Sequence, residues 1–222
     1  MNTPRPHAGR CSLWLLVLAV AVTVTLGVGR SQAYPEPKII SDSWQLEFFY
    51  KTPRLIAVDV DGDGQKQHYW YLPYTVTNNT GEDQLFVPYV QMLTDRGHLL
   101  TAGRNVEPSV YKAIAREQQN PLLVSPTEAI GKLLQGEDNA RDSVAIWQAP
   151  DADTDTMTIF FGGLSGETAV VDHPIDVDDQ GNPVKVVLRK TRTITFKTPG
   201  TLPQIMRGRE PVRFVRAGWV MR

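Results

Sequence analysis

The run Gln67–Thr77 (QHYWYLPYTVT) constrains the fold more than any other stretch. Trp70, Leu72, Tyr74 and Val76 fall on one face, and Tyr69, Tyr71, Thr75 and Thr77 on the other. That is the period of a strand. Asp61-Gly62-Asp63-Gly64 precedes it and Asn78-Asn79-Thr80-Gly81 follows it, both strong turn signals. The same rhythm extends along the chain. Trp44–Phe48, Arg54–Val60, Leu85–Leu93, Ser143–Trp147, Thr156–Phe161, Thr168–Val171 and Val184–Lys197 all read as strands. Pro73 and Pro88 cannot donate to a ladder, so they belong at edges, bulges or outward-facing positions. About eight strands with turns at short intervals predict a mainly β chain, an immunoglobulin-like two-sheet sandwich.

Residues 104–136 break this rhythm and predict a short helical insertion. One helix covers Pro108–Gln119 and stops at Asn120-Pro121. A second has Ser125 as cap, Pro126 in the first position, Glu128 closing a capping box and Gly136 as its stop. The pair is expected to pack over one end or edge of the sheet.

The N-terminus carries an address. Arg5 and Arg10 precede an uncharged apolar run from Cys11 to Val28, and Ser31-Gln32-Ala33 is a small-x-small cleavage pattern. Residues 1–33 read as a signal peptide, with an uncleaved N-terminal anchor as the alternative. Both readings place residues 34–222 outside the cytoplasm, secreted, periplasmic or in the cell envelope. Cys11 is the only cysteine, so residues 34–222 hold no disulfide.

Residues 34–222 carry 20 basic and 24 acidic side chains, but unevenly. Residues 201–222 hold Arg207, Arg209, Arg213, Arg216 and Arg222 against Glu210. Residues 34–200 are net −8, which gives no footprint for nucleic acid. Residues 198–211 are rich in Pro and Gly and read as a linker, making 201–222 a basic C-terminal tail. Such a tail could bind an anionic membrane weakly, fold back on the acidic body or hang free.

Four candidate sites follow from the residues. Asp59, Asp61 and Asp63, followed by Gly64, match the start of a calcium loop, so calcium is the one cofactor to consider. Trp70 stands where the closing acid is needed, and a hairpin turn explains the same residues. Gly163-Leu164-Ser165-Gly166-Glu167 approaches a nucleophile elbow, with Glu167 in place of the last glycine. His173 with a nearby carboxylate would complete a secreted hydrolase. Tyr69, Tyr71 and Tyr89 could form a surface row for an envelope protein or polysaccharide, provided Tyr69 and Tyr71 do not lie under the helical pair. Arg213 and Arg216 are the tail's candidate contacts. No catalytic residue is assigned, and a non-catalytic binding or structural module is the expected role.

The run Tyr71–Gly97, two strands joined through Thr77–Gly81 and closed by Asp95-Arg96-Gly97, resembles extracytoplasmic immunoglobulin-like domains of bacterial envelope proteins. WYLPYTVTNNTGED (70–83), GEDNARDSVAIW (136–147) and FFGGLSGE (160–167) resemble an uncharacterised family of secreted proteins from planctomycete-type bacteria. The resemblance implies export and a β-sandwich and carries over no catalytic residue.

Overall fold

The computed structural model describes residues 34–38, 43–150, 154–198, 201–206, 208 and 211–222. The chain divides into two units, Met1–Pro35 and Glu36–Arg222, and the fold below is that of the second. The signal peptide, Asp151, Asp153, Arg207 and Arg209 lie outside the described residues. Among the described residues no helix is long and apolar enough to cross a membrane.

The strands are β1 (Glu47–Tyr50), β2 (Arg54–Asp59), β3 (Lys66–Thr77), β4 (Gln84–Phe86), β5 (Tyr89–Thr94), β6 (Leu99–Thr101), β7 (Gly131–Leu133), β8 (Arg141–Gln148), β9 (Thr156–Gly162), β10 (Thr168–Val177), β11 (Pro183–Lys197) and β12 (Arg213–Met221). The helices are α1 (Pro108–Gln118) and the single turn α2 (Leu202–Met206). The unit is mainly β, and its sheets are antiparallel.

In the first sheet β3 is central. β8 pairs along one edge, and β1 then β2 along the other. Their registers differ by one residue, and Pro73 sits at that break. The Lys51 N–H donates to the Pro73 carbonyl at 2.9 Å, so the donor that proline lacks falls where the ladder is interrupted.

The second sheet runs β6–β5–β9–β11–β12. β10 continues beyond β9 along the same edge of β11. The Lys190 N–H donates to the Glu167 carbonyl on that edge, while Arg189 exchanges both backbone bonds with Arg222 on the other. The small β4–β7 pair forms a sheet of its own.

One core joins the two larger sheets. β3 gives Trp70, Leu72, Tyr74 and Val76; β9 gives Met157, Ile159 and Phe161; β11 gives Ile194 and Phe196. Phe161 lies 4.5 Å from Phe48 and 4.9 Å from Tyr74, ring centre to ring centre. A second cluster covers the opposite face of β3, where Tyr69 and Tyr71, with Val144 and Ile146, pack under Val110 and Ile114 of α1. Alternation therefore places the two faces of β3 correctly, but both are buried.

Three expectations are corrected here. Ser125 and Glu128 do form their capping box, with Glu128 accepting from the Ser125 N–H at 2.9 Å and the Ser125 hydroxyl accepting from the Glu128 N–H at 3.3 Å. Only one turn follows, because Gly131 turns to φ +134° and the chain enters β7, burying Leu133. The strand expected over Leu85–Leu93 divides into β4 and β5 at Val87-Pro88. The stretch 213–221, expected within a basic C-terminal tail, is β12, paired along half of β11.

Burial changes the acid–base chemistry of β3. The Tyr71 hydroxyl is pushed up to about 12, first by desolvation and then by Glu117, which accepts its proton at 3.0 Å. Tyr74 is also pushed up to about 12, mainly by desolvation. The folded state holds these protons more tightly than the unfolded chain. Their contribution is complete below about pH 10 and is lost as pH rises from there to about 12. In an absorbance titration of the phenols, two tyrosines should ionise only near pH 12, with the melting temperature falling over that window. Ionisation of every tyrosine near pH 10 would contradict the burial of β3.

Candidate anion-binding groove

The face of the second sheet turned away from the core carries a groove of about 760 Å³. It is built by strand alternation. On β9 the core takes Met157, Ile159 and Phe161, which turns Thr158 and Phe160 outward; on β11 it takes Ile194 and Phe196, which turns Arg189, Thr191, Thr193 and Thr195 outward. Tyr89 and Gln91 of β5 complete the floor, and Leu85, Val87 and Leu99 form an exposed apolar wall. A second depression of about 430 Å³ shares Phe160 and adds Thr193, Thr195 and Arg216.

The charge in this groove is held in an unusual way. Arg189 and Arg222 stand directly opposite each other. The Arg189 N–H donates to the Arg222 carbonyl at 2.7 Å, and the Arg222 N–H to the Arg189 carbonyl at 3.1 Å. Both side chains line the groove. The Arg222 guanidinium lies 4.2 Å over the Phe160 ring, and its Nη2 donates to Gln91 Oε1 at 2.7 Å. Farther along the same strands, Arg213 stands opposite Lys197. Among the described residues, no side-chain carboxylate lies within ion-pair distance of Arg189, Arg213, Arg216 or Arg222. Like charges directly across a ladder repel, costing up to about 1 kcal/mol per pair. An anion seated between them would remove that cost.

The sequence candidates divide on this geometry. Tyr89 lines the groove and is 59 % exposed, and Arg216 lines its extension. Arg213 is exposed on β12. Tyr69 and Tyr71 are 1 % and 0 % exposed beneath α1, so the row expected to join them to Tyr89 at the surface does not form. Tyr71 is tied there by Glu117, which also pairs with Arg54 at 2.8 Å.

The Asp59–Asp63 turn satisfies itself. Asp59 accepts from the Gly62 and Gly64 amides at 2.7 and 3.1 Å, and Asp63 from Gln65 at 2.8 Å. The described residues contain no group of three or more acidic, histidine or cysteine side chains placed to hold a metal ion.

Ser165 and His173 do not bond to each other. The Ser165 hydroxyl donates to the Trp44 carbonyl at 3.1 Å, while His173 Nδ1 accepts from the Asp176 amide at 2.8 Å. Glu167, which spoils the elbow pattern, makes a buried ion pair with Lys190 at 2.8 Å.

Sequence reasoning missed Arg189, Phe160 and Gln91, and counted Arg222 only as tail charge. A signal was present. Odd positions from 189 to 197 read Arg, Thr, Thr, Thr, Lys, a polar face alternating with Ile194 and Phe196. No protein-family model matches the chain, and neither a curated protein nor a solved structure is found similar to it.

Proposed function

We propose that the protein is a non-catalytic binding module of the cell envelope or exterior. Its fold is an immunoglobulin-like sandwich, and its outer groove takes an extended acidic polypeptide. The facing arginines Arg189 and Arg222 carry this reading. A ladder position that sets two cations side by side is better suited to an anion than to stability. The exposed apolar wall beside them suits a ligand that alternates acidic and aliphatic side chains. Arg222 covers the Phe160 ring, so this part of the groove offers a cation above an apolar floor. The leader supports export.

The test is calorimetric titration of the full chain, held in a mild detergent, with a short peptide of alternating Asp and Val. A peptide with Asn in place of Asp is the control. The acidic peptide should bind, and added salt should weaken it. Arg189→Gln and Arg222→Gln should each lower affinity at least about tenfold, since each deletes a charge-assisted contact. Equal binding of the two peptides, or variants that bind like wild type, would overturn the proposal.

A further inference from the structure

Among the described residues β12 pairs as far as Lys190, and from Leu188 to Pro183 β11 pairs with β10 in an arm closed by a turn at 178–182. A two-stranded hairpin is marginal in water without something packed on it. This one exposes apolar side chains instead. Val170 faces Val187 across the ladder, both exposed, and Ile175 is 82 % exposed with Val177 beside it.

The arm is also acidic. It carries Asp172, Asp176, Asp178 and Asp179 against Lys185. Lys185 neutralises Asp172, and Asp178 is engaged by the amides of Gln180 and Asn182. Among the described residues Asp176 has no carboxylate-pairing neighbour but the His173 ring, and Asp176 and Asp179 present charge outward.

We propose that the arm of a second copy occupies the groove, in a reciprocal two-fold dimer. This rests on the reading of the groove given above. The chemistry matches on both counts: Asp176 and Asp179 meet Arg189 and Arg222, while Ile175 and Val177 meet the exposed apolar wall. The arm cannot enter its own groove, because β11 runs unbroken from one into the other. It can reach another copy's, since β11 runs from Arg189 to Pro183, about 20 Å of strand. Thr168 and Arg189, then Val170 and Val187, continue the groove's face onto the arm. Two copies laid face to face about a two-fold axis therefore seat both arms at once, the commonest closed arrangement.

The experiment is sedimentation of the full chain in density-matched mild detergent at low and high salt. One variant reverses the arm (Asp176→Lys with Asp179→Lys) and one the groove (Arg189→Glu with Arg222→Glu). If the Glu pair does not fold by circular dichroism, Arg189→Gln with Arg222→Gln replaces it. Wild type should form a dimer that loosens in high salt. Each charge-reversed variant alone should dissociate at least about tenfold more readily. An equimolar mixture of the two should recover a one-to-one heterodimer, since both contacts then pair opposite charges. With the Gln pair, the mixture should recover less than wild type but more than either variant alone.

A monomeric wild type that still binds the acidic peptide would overturn the dimer and leave the groove reading standing. A monomer that ignores the peptide would overturn both. A dimer unaffected by either variant would place the interface elsewhere and overturn the dimer as described.

Discussion

Lys190→Ala is expected to destabilise the domain by about 3–5 kcal/mol, a large share of the stability of any single domain. Lys190 and Glu167 are 2 % and 8 % exposed, and their charged atoms lie 2.8 Å apart. Lys190 Nζ also donates to the Lys38 carbonyl at 3.1 Å and stands 5.3 Å from the Trp219 ring centre. Glu167 accepts from the Lys38 amide at 2.9 Å. Removing the ammonium leaves a buried carboxylate with one cation fewer and detaches the extended segment at Lys38. The cost is that of an uncompensated charge, so Glu167→Leu combined with Lys190→Met should recover most of it. Denaturant midpoints of Glu167→Leu, of Lys190→Met and of the two combined check this. If the double variant is as unstable as the sum of the singles, the pair is not the buried unit described.

Trp70→Ala should cost about 3–5 kcal/mol by removing the largest side chain on the core face of β3. Trp70 is fully buried and stands across from Leu55 on one side and Trp147 on the other. Trp147 makes an informative contrast. Its ring nitrogen is buried with no hydrogen-bond partner among the described residues. Trp147→Phe therefore removes an unpaired donor, itself a cost of about 1–3 kcal/mol, while retaining most of the apolar contact. Its net effect should be under about 2 kcal/mol. Thermal melts of the two variants check the ranking. The reverse order would mean that β3 does not lie at the centre of the two-sheet core.

Much of this framework was legible from local pattern. The faces of β3, the hairpin turns and α1 with Pro108 at its start follow from side-chain period and backbone preference, which act within a few residues. What was not legible depends on distant partners. Ser125 and Glu128 are a sound helix start, but Leu133 has a place in the core and Gly131 a positive φ, so tertiary packing stops the helix after one turn. Arg213–Met221 looked like a tail because its composition is basic, yet β11 supplies a free edge that pairs it. For Tyr69 and Tyr71 the sequence leaves both surface and helix-covered positions open, because alternation along a strand cannot say which face a helix will cover. The groove was hidden for a related reason. Arg189 and Arg222 are 33 positions apart in sequence, and only strand pairing sets them side by side.

The central claim is that these two guanidinium groups receive an anion, and side-chain nuclear magnetic resonance reads them directly. The Nε–H signals of Arg189 and Arg222 are followed as the alternating Asp–Val peptide is added in detergent to the full chain carrying Asp176→Lys with Asp179→Lys, whose groove a second copy does not fill. Arg54, already paired with Glu117, serves as internal reference. Saturable movement of the Arg189 and Arg222 signals, with Arg54 stationary, is the result expected. Signals that stay in place, or that move no more than that of Arg54, would contradict it.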